Sequence, residues 1–161
     1  MTIAPAFILD GNGRATPTIS PGCEWITDWT AAATQKVDGI GIKIDGNTIW
    51  QRSNSQWQEI PATEDRLAQA LQRHKDVSGT APSDGTYELI GPGINGNREM
   101  AVSYALVSHR DTRLANFPTD LPSIRTAMAS LNIEGVVWHH IDGRMAQITM
   151  AQLGMARPNR A

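Results

Sequence analysis

Apolar residues recur at every second position along several short stretches of this chain, and at helical spacing along only two. From Ala31 to Ile44 the pattern is strand-like, and Asp45-Gly46-Asn47 is a hairpin signal ahead of a second strand, TIWQR. TEDRLAQALQRHKDV then predicts a helix. Thr63 can cap it, Glu64 and Asp65 lie in its first turn, and Arg73, His74 and Lys75 lie in its last, matching the helix dipole. Its apolar face is thin (Leu67, Ala70, Leu71), which predicts a surface position. Further strands are predicted at TYELI and MAVSYALVS, and a second helix at LPSIRTAMASL, where Ile124, Met128 and Leu131 recur at i, i+4 and i+7. GVVWHH and RMAQITM pair across the turn Ile141-Asp142-Gly143.

Glycine and proline punctuate the rest. Gly11, Gly13, Pro17, Pro21 and Gly22 predict a loop-rich start with at most a short strand at Ala6 to Leu9. Residues 53–62 read as irregular, and the closing ARPNRA reads as a frayed tail. Strands outnumber helices and several are joined by hairpins, so the expected class is α+β: one domain of mainly antiparallel sheets with flanking helices.

A chain of 161 residues suits one such domain. Its formal charge of -2 excludes a strongly basic nucleic-acid coat protein, although fourteen Lys and Arg residues could still line one groove. The single cysteine, Cys23, rules out an intramolecular disulfide framework and suits a reducing compartment. No His or Asn pattern downstream marks it as a nucleophile, so it reads as a small semi-buried residue. MTIAPAFILDGNG lacks a basic start and a long apolar core, so no signal peptide is expected. No apolar run reaches the ~20 residues that span a bilayer. A soluble, cytoplasmic chain without membrane partners is the expectation.

Alone, Lys36-Val37-Asp38-Gly39 is only a strand running into a turn. Its order with other segments changes that. Arg52 follows on the next predicted strand, then YELIGPGINGN (87–97), and EGVVWHHIDGRMA (134–146) closes the series. Together these resemble the covalent nucleotidyltransferase superfamily of polynucleotide ligases, and within it a small RNA ligase-like family with the strings GTYELVGP and EGIVWHHPDGRMAKIK. The resemblance runs from about Pro17 to Met155. It implies a ligase adenylation-type domain over 17–155, between a loop-rich N-terminal segment (1–16) and a tail (156–161).

The resemblance also implies roles. Lys36 is the nucleophile that attacks the α-phosphorus of ATP to form a lysyl-AMP. An amine attacks only when neutral, and desolvation beside other cations favours that form. Asp38, two residues on, faces the same side of a strand and could bind hydrated Mg²⁺ or a substrate hydroxyl; otherwise it is a turn aspartate. Gly39 lets the backbone approach the nucleotide. Arg52 corresponds to an arginine holding a nucleotide or end phosphate, a task suited to a planar, always charged guanidinium; the alternative is a surface arginine. Glu88 corresponds to an acidic residue near ribose or metal, against the alternative of a solvent-facing strand residue. Glu134 corresponds to a metal-site glutamate, and with Asp38 could hold Mg²⁺ or Mn²⁺ together with water and phosphate oxygens.

His139 and His140 lack further ligands at zinc spacing, and only one can face a groove. Of the five tryptophans, Trp138 is the candidate for base stacking because it lies within a matched motif, and the others read as packing. Nothing singles out the residue that would stack on adenine, and Tyr104 is only a nominee.

One departure stands out. Where the family string continues KIK after GRMA, this chain has Gln147-Ile148-Thr149. Those lysines are expected at the α-phosphate, and losing one such preorganised donor typically costs ~10²–10³ in rate. Lys43 or Arg144 could substitute. Three readings follow: an ATP-dependent RNA ligase-like enzyme joining 5′-phosphate and 3′-hydroxyl ends of RNA, with DNA ends as an alternative; a diverged nucleotide- or RNA-binding member; or a transferase placing AMP on another acceptor. With little chain left after Met155, RNA specificity is expected to come from the catalytic domain or a partner protein.

Overall fold

The structure is a computed structural model that describes residues 3–54 and 56–156. The N-terminal stretch forms β1 (Ala4–Pro5), β2 (Phe7–Leu9), β3 (Ala15–Ile19) and β4 (Ala32–Gln35). Next come β5 (Ile40–Asp45), β6 (Thr48–Ser53), β7 (Gln56–Ile60), α1 (Asp65–Ser78), β8 (Gly85–Ile90) and β9 (Ala105–Ser108). The chain closes with β10 (Arg113–Leu114), α2 (Leu121–Ala129), β11 (Gly135–His139) and β12 (Met145–Thr149). The class is α+β with mostly antiparallel sheets, as expected. The chain divides into two compact units: Val37–Asp111, and the residues up to Lys36 together with those from Thr112 onward.

In the second of these, the split unit, the strand order is β1-β12-β11-β4-β10, and only β1 and β12 run parallel. Val136, Trp138, Ala146 and Ile148 alternate onto one face and pack with Phe7, Ile26, Ile124 and Met128. Helix α2 supplies the last two. Its first turn is closed by Asp120, whose carboxylate accepts from the Ser123 N–H at 3.0 Å. The start of the chain is richer in strands than its glycines and prolines predict. Pro17 sits within β3, which pairs only with β2, so its missing N–H costs no interior ladder bond. Cys23 is buried, and burial pushes its thiol pKa up.

The continuous unit is an antiparallel sheet of order β7-β6-β5-β8-β9. Ile42, Ile44, Ile49, Tyr87 and Leu89 bury one face against Leu67 and Ala70 of α1. The helix lies at the surface, as its thin apolar stripe predicts: of its residues only Leu67 and Ala70 are buried, both 0% exposed, and the small Ala70 permits close approach to the sheet. The cap is Glu64 rather than Thr63, its carboxylate accepting from the Leu67 N–H at 2.8 Å. Strand β7 falls where irregular chain was expected, because an edge strand with polar residues on both faces carries no apolar alternation. The strand expected at 100–108 is confined to 105–108, with Met100 at φ 54° in the loop before it. The single strand expected from Ala31 to Ile44 is two, broken at residues 36–39, and its halves belong to different sheets. Among the described residues, no helix is long and apolar enough to cross a membrane.

Candidate functional site

In the split unit, the backbone N–H of Lys36 donates to the Gly135 carbonyl at 2.8 Å, continuing the β4–β11 ladder one residue beyond β4. Thr34 opposes Val137, which opposes Gln147; Gly135 opposes Thr149. Opposed residues share a face, and residues two apart along a strand share it too. Thr34, Val137, Gln147, Gly135, Thr149 and the Lys36 position therefore lie on the sheet face opposite the one carrying Trp138 and Ile148. Three sequence segments, around 36, 135 and 148, meet on that face. Gly135 has no room for a side chain, since a Cβ there would come 2.5 Å from the Ile148 carbonyl oxygen.

The two positions where the resemblance implies lysines are neutral in different ways. The Gln147 Oε1 is buried, and no hydrogen-bond donor reaches it among the described residues. Thr149 is tied into a turn, its Oγ1 accepting from the Gln152 N–H and its N–H donating to the Gln152 Oε1, both at 3.1 Å. His139 lies on the same face, its Nε2 2.8 Å from Thr34 Oγ1. Glu134 is half-buried just before β11, its carbonyl accepting from the Met150 N–H at 2.9 Å. Trp138 is no stacking surface: it is 1% exposed, in the core, edge-on to Phe117 at 6.0 Å. Arg144 is committed to the hairpin, pairing with Asp142 at 2.9 Å and lying over Trp25. The Arg144 backbone N–H is the main cause that lowers the carboxyl pKa of Asp142.

In the continuous unit, Arg52 and Glu88 lie on the sheet face opposite α1, while Asp38 and Gly39 precede β5. Trp57 opposes Arg52, and Gly41 opposes Glu88. Gly41 leaves a gap beside Arg52: a Cβ there would meet the Arg52 Cβ at 3.2 Å. In the next row Trp50 opposes Lys43, which opposes Thr86. The Lys43 Nζ lies 5.2 Å from the Trp50 ring centre and 5.3 Å from that of Trp57, and the Arg52 guanidinium lies 5.8 Å from Trp57. Glu88 does not simply face solvent: its Oε1 is 3.2 Å from His109 Nε2, and His109 Nδ1 is 2.8 Å from Thr86 Oγ1.

Asp38 is held as well. Arg98 pairs with it at 3.2 Å, Asn95 Nδ2 donates to it at 3.2 Å, and the same amide donates to the Gly39 carbonyl at 2.9 Å. Gly39 is sterically required, because a Cβ would stand 2.5 Å from the Leu89 carbonyl oxygen. The Tyr104 hydroxyl donates to the Pro92 carbonyl at 3.0 Å, and its ring fills the space beside Gly91, so this residue braces the loop.

Asp38 belongs to the continuous unit and Glu134 to the split unit. No group of three or more His, Cys, Asp or Glu side chains converges as a metal cage among the described residues. A magnesium ion carried by a triphosphate needs only one or two carboxylates beside water and phosphate oxygens.

Sequence reasoning missed Arg98 and Asn95 on Asp38, His109 on Glu88, and the pairing of Trp50 and Trp57 with Lys43. Only the Trp50 pairing had a local signal: a turn at Gly46-Asn47 fixes Asp45 against Thr48 and hence Lys43 against Trp50.

No protein-family model matches the chain. RNA ligase 1 of Pongo abelii is 27% identical over 165 aligned positions, which take in 86% of this chain and 50% of that protein. The chain spans about half the length of the curated relative it matches. It is thus distantly similar in sequence to an RNA ligase.

Proposed function

We propose that this chain is an ATP-dependent RNA ligase-like nucleotidyltransferase. The Nζ of Lys36 attacks the α-phosphorus of ATP, an N–P bond forms, the bond to the β-phosphate oxygen breaks, and pyrophosphate leaves with the amine proton passing to solvent. A 5′-phosphate oxygen of RNA then takes the AMP, releasing the lysine amine. A 3′-hydroxyl attacks that activated phosphate, the new phosphodiester forms, and AMP departs. Magnesium or manganese enters with ATP as its complex.

The observation that carries this reading is the meeting of Lys36 with positions 135, 147 and 149 on one sheet face, from segments far apart in sequence. A backbone-anchored strand end fixes the amine relative to a bound phosphate, which is the positioning part of the rate. The distant similarity to RNA ligase 1 supports the acceptor class. Gln147 and Thr149 favour a second reading, in which the fold binds nucleotide or RNA and the transfer step is slow or lost. A third acceptor class for AMP stays open to the same test.

The protein is incubated with α-labelled ATP and Mg²⁺, denatured, and scored for label on the chain. Label that disappears in Lys36→Ala is the expected result. No label at any pH, with Mn²⁺ as well as Mg²⁺, would refute the transfer chemistry and leave the binding reading. Transfer of that label to 5′-phosphorylated RNA, rather than to DNA ends or to none, distinguishes a ligase from other transferases.

A further inference from the structure

We propose that Lys43, lying over the rings of Trp50 and Trp57, is a phosphate-binding residue of the β5–β6–β7 sheet face, acting with Arg52. The inference deepens the function proposed above and rests on it for the identity of the ligand, a nucleotide phosphate.

Several cations of the molecule are already satisfied. Arg98 is paired with Asp38, and Arg144 with Asp142. Arg14 and Arg125 donate to the carbonyls of Ala151 and Leu153. Arg73 donates to Ser103, and Arg66 pairs with Glu64. Lys43 differs. Its Nζ lies over two indole rings, 5.2 and 5.3 Å from their centres, and no carboxylate pairs with it among the described residues.

A ring quadrupole attracts an ammonium but offers no lone pair, so the three N–H donors of Lys43 are positioned without a strong acceptor. The two rings also restrict a flexible four-carbon side chain, so less entropy remains to be lost when an anion arrives. Lys43 and Gly41 share one face of β5, and across Gly41 lie Arg52 on one side and Glu88 on the other. The acids on this face do not neutralise it fully: Glu88 is engaged by His109, and Glu59, beyond Trp50 in the same row, and Asp45, two residues along β5, make no ion pair with Lys43 among the described residues. Two cations over aromatic rings, one row apart on a single sheet face, fit the oxygens of a phosphate, with an indole edge beside them for the attached nucleoside.

Equilibrium binding is measured in the Lys36→Ala background, where no covalent step intervenes. The probes are ATP, adenosine, and a short single-stranded RNA with a 5′-phosphate or a 5′-hydroxyl. Lys43→Ala is expected to weaken a phosphate-bearing probe about 10- to 100-fold. Adenosine and 5′-hydroxyl RNA should change little, and Lys43→Arg should keep most of the affinity. Loss confined to ATP identifies the triphosphate as the occupant; loss confined to 5′-phosphorylated RNA identifies the strand end. Unchanged binding of both phosphate probes in Lys43→Ala, with a native tryptophan emission spectrum, overturns the proposal. Lysyl-AMP labelling is scored separately with Lys36 intact: phosphate affinity that depends on Lys43 in a protein that never labels would overturn the ligase reading alone.

Discussion

Replacing Gln147 by methionine should stabilise the protein. The Gln147 Oε1 is buried without a donor among the described residues, on a strand whose neighbours Ala146 and Ile148 are fully buried on the other face. An acceptor withdrawn from water without a partner forfeits about 1–3 kcal/mol of solvation. Methionine keeps the length and nearly the volume of glutamine while removing that acceptor. Gln147 is only half-buried as a residue, so the low end applies, and a gain of about 1 kcal/mol is expected. For a chain of this length that raises Tm by roughly 2–4 °C. Thermal melts and urea titration measure it, and an unchanged m-value would show that the denatured state is not the source. Saturating ATP supplies the second arm, because a ligand stabilises the state it binds by an amount set by its affinity. If Gln147 meets bound nucleotide, the wild type gains more Tm from ATP than Gln147→Met does. A methionine variant no more stable than the wild type without ATP would refute the reasoning, because Oε1 would then have a partner in solution.

Two further outcomes test the scaffold. Gly39→Ala forces a Cβ to 2.5 Å from the Leu89 carbonyl oxygen, a backbone atom that cannot rotate away, so urea midpoints should fall by the equivalent of about 1–3 kcal/mol. Gly41→Ala, whose nearest neighbour is the Arg52 side chain at 3.2 Å, should cost less. The Asp120 carboxyl is lowered below its ordinary 3.8, mainly by hydrogen bonds from Ser123. Its contribution is therefore full above pH 3.8 and is lost as pH falls through the lower folded value. Acid titration of Asp120→Asn followed by circular dichroism should show a smaller loss of stability in that window than the wild type.

The local part of the fold was legible, and the long-range part was not. Helix α1 announced itself through Glu64, Asp65 and its basic last turn, and the hairpins at 45–48 and 141–144 through their turn residues. Those signals act over a few residues. The break at 36–39 was invisible because strand residues on either side carry the same alternation, and only partners far along the chain decide that β4 joins β11 while β5 joins β8. Strand β7 was hidden for the opposite reason, having no apolar face to report. At the site, the resemblance named Asp38 and Glu88 by type, but their partners Arg98 and His109 come from loops whose course no periodicity encodes.

The altered stretch at 147–149 shows why fold and chemistry can be read separately. Along β12, Ala146 and Ile148 are fully buried in the core of the split unit, while Gln147 and Thr149 alternate onto the opposite face with the Lys36 position. Either a lysine or a neutral residue on that face leaves the apolar alternation intact, so the hydrophobic driving force for the strand is the same. The electrostatic demand of a phosphate is affected directly, because each fixed donor near a developing negative charge contributes to the rate. A strand can therefore keep its place in the sheet whichever side chains its open face carries. Strand β5 shows the same separation within its own unit: Ile42 and Ile44 bury one face in the core, while Lys43 and Gly41 turn to the face that carries Arg52 and Glu88, where charge can vary without touching that core.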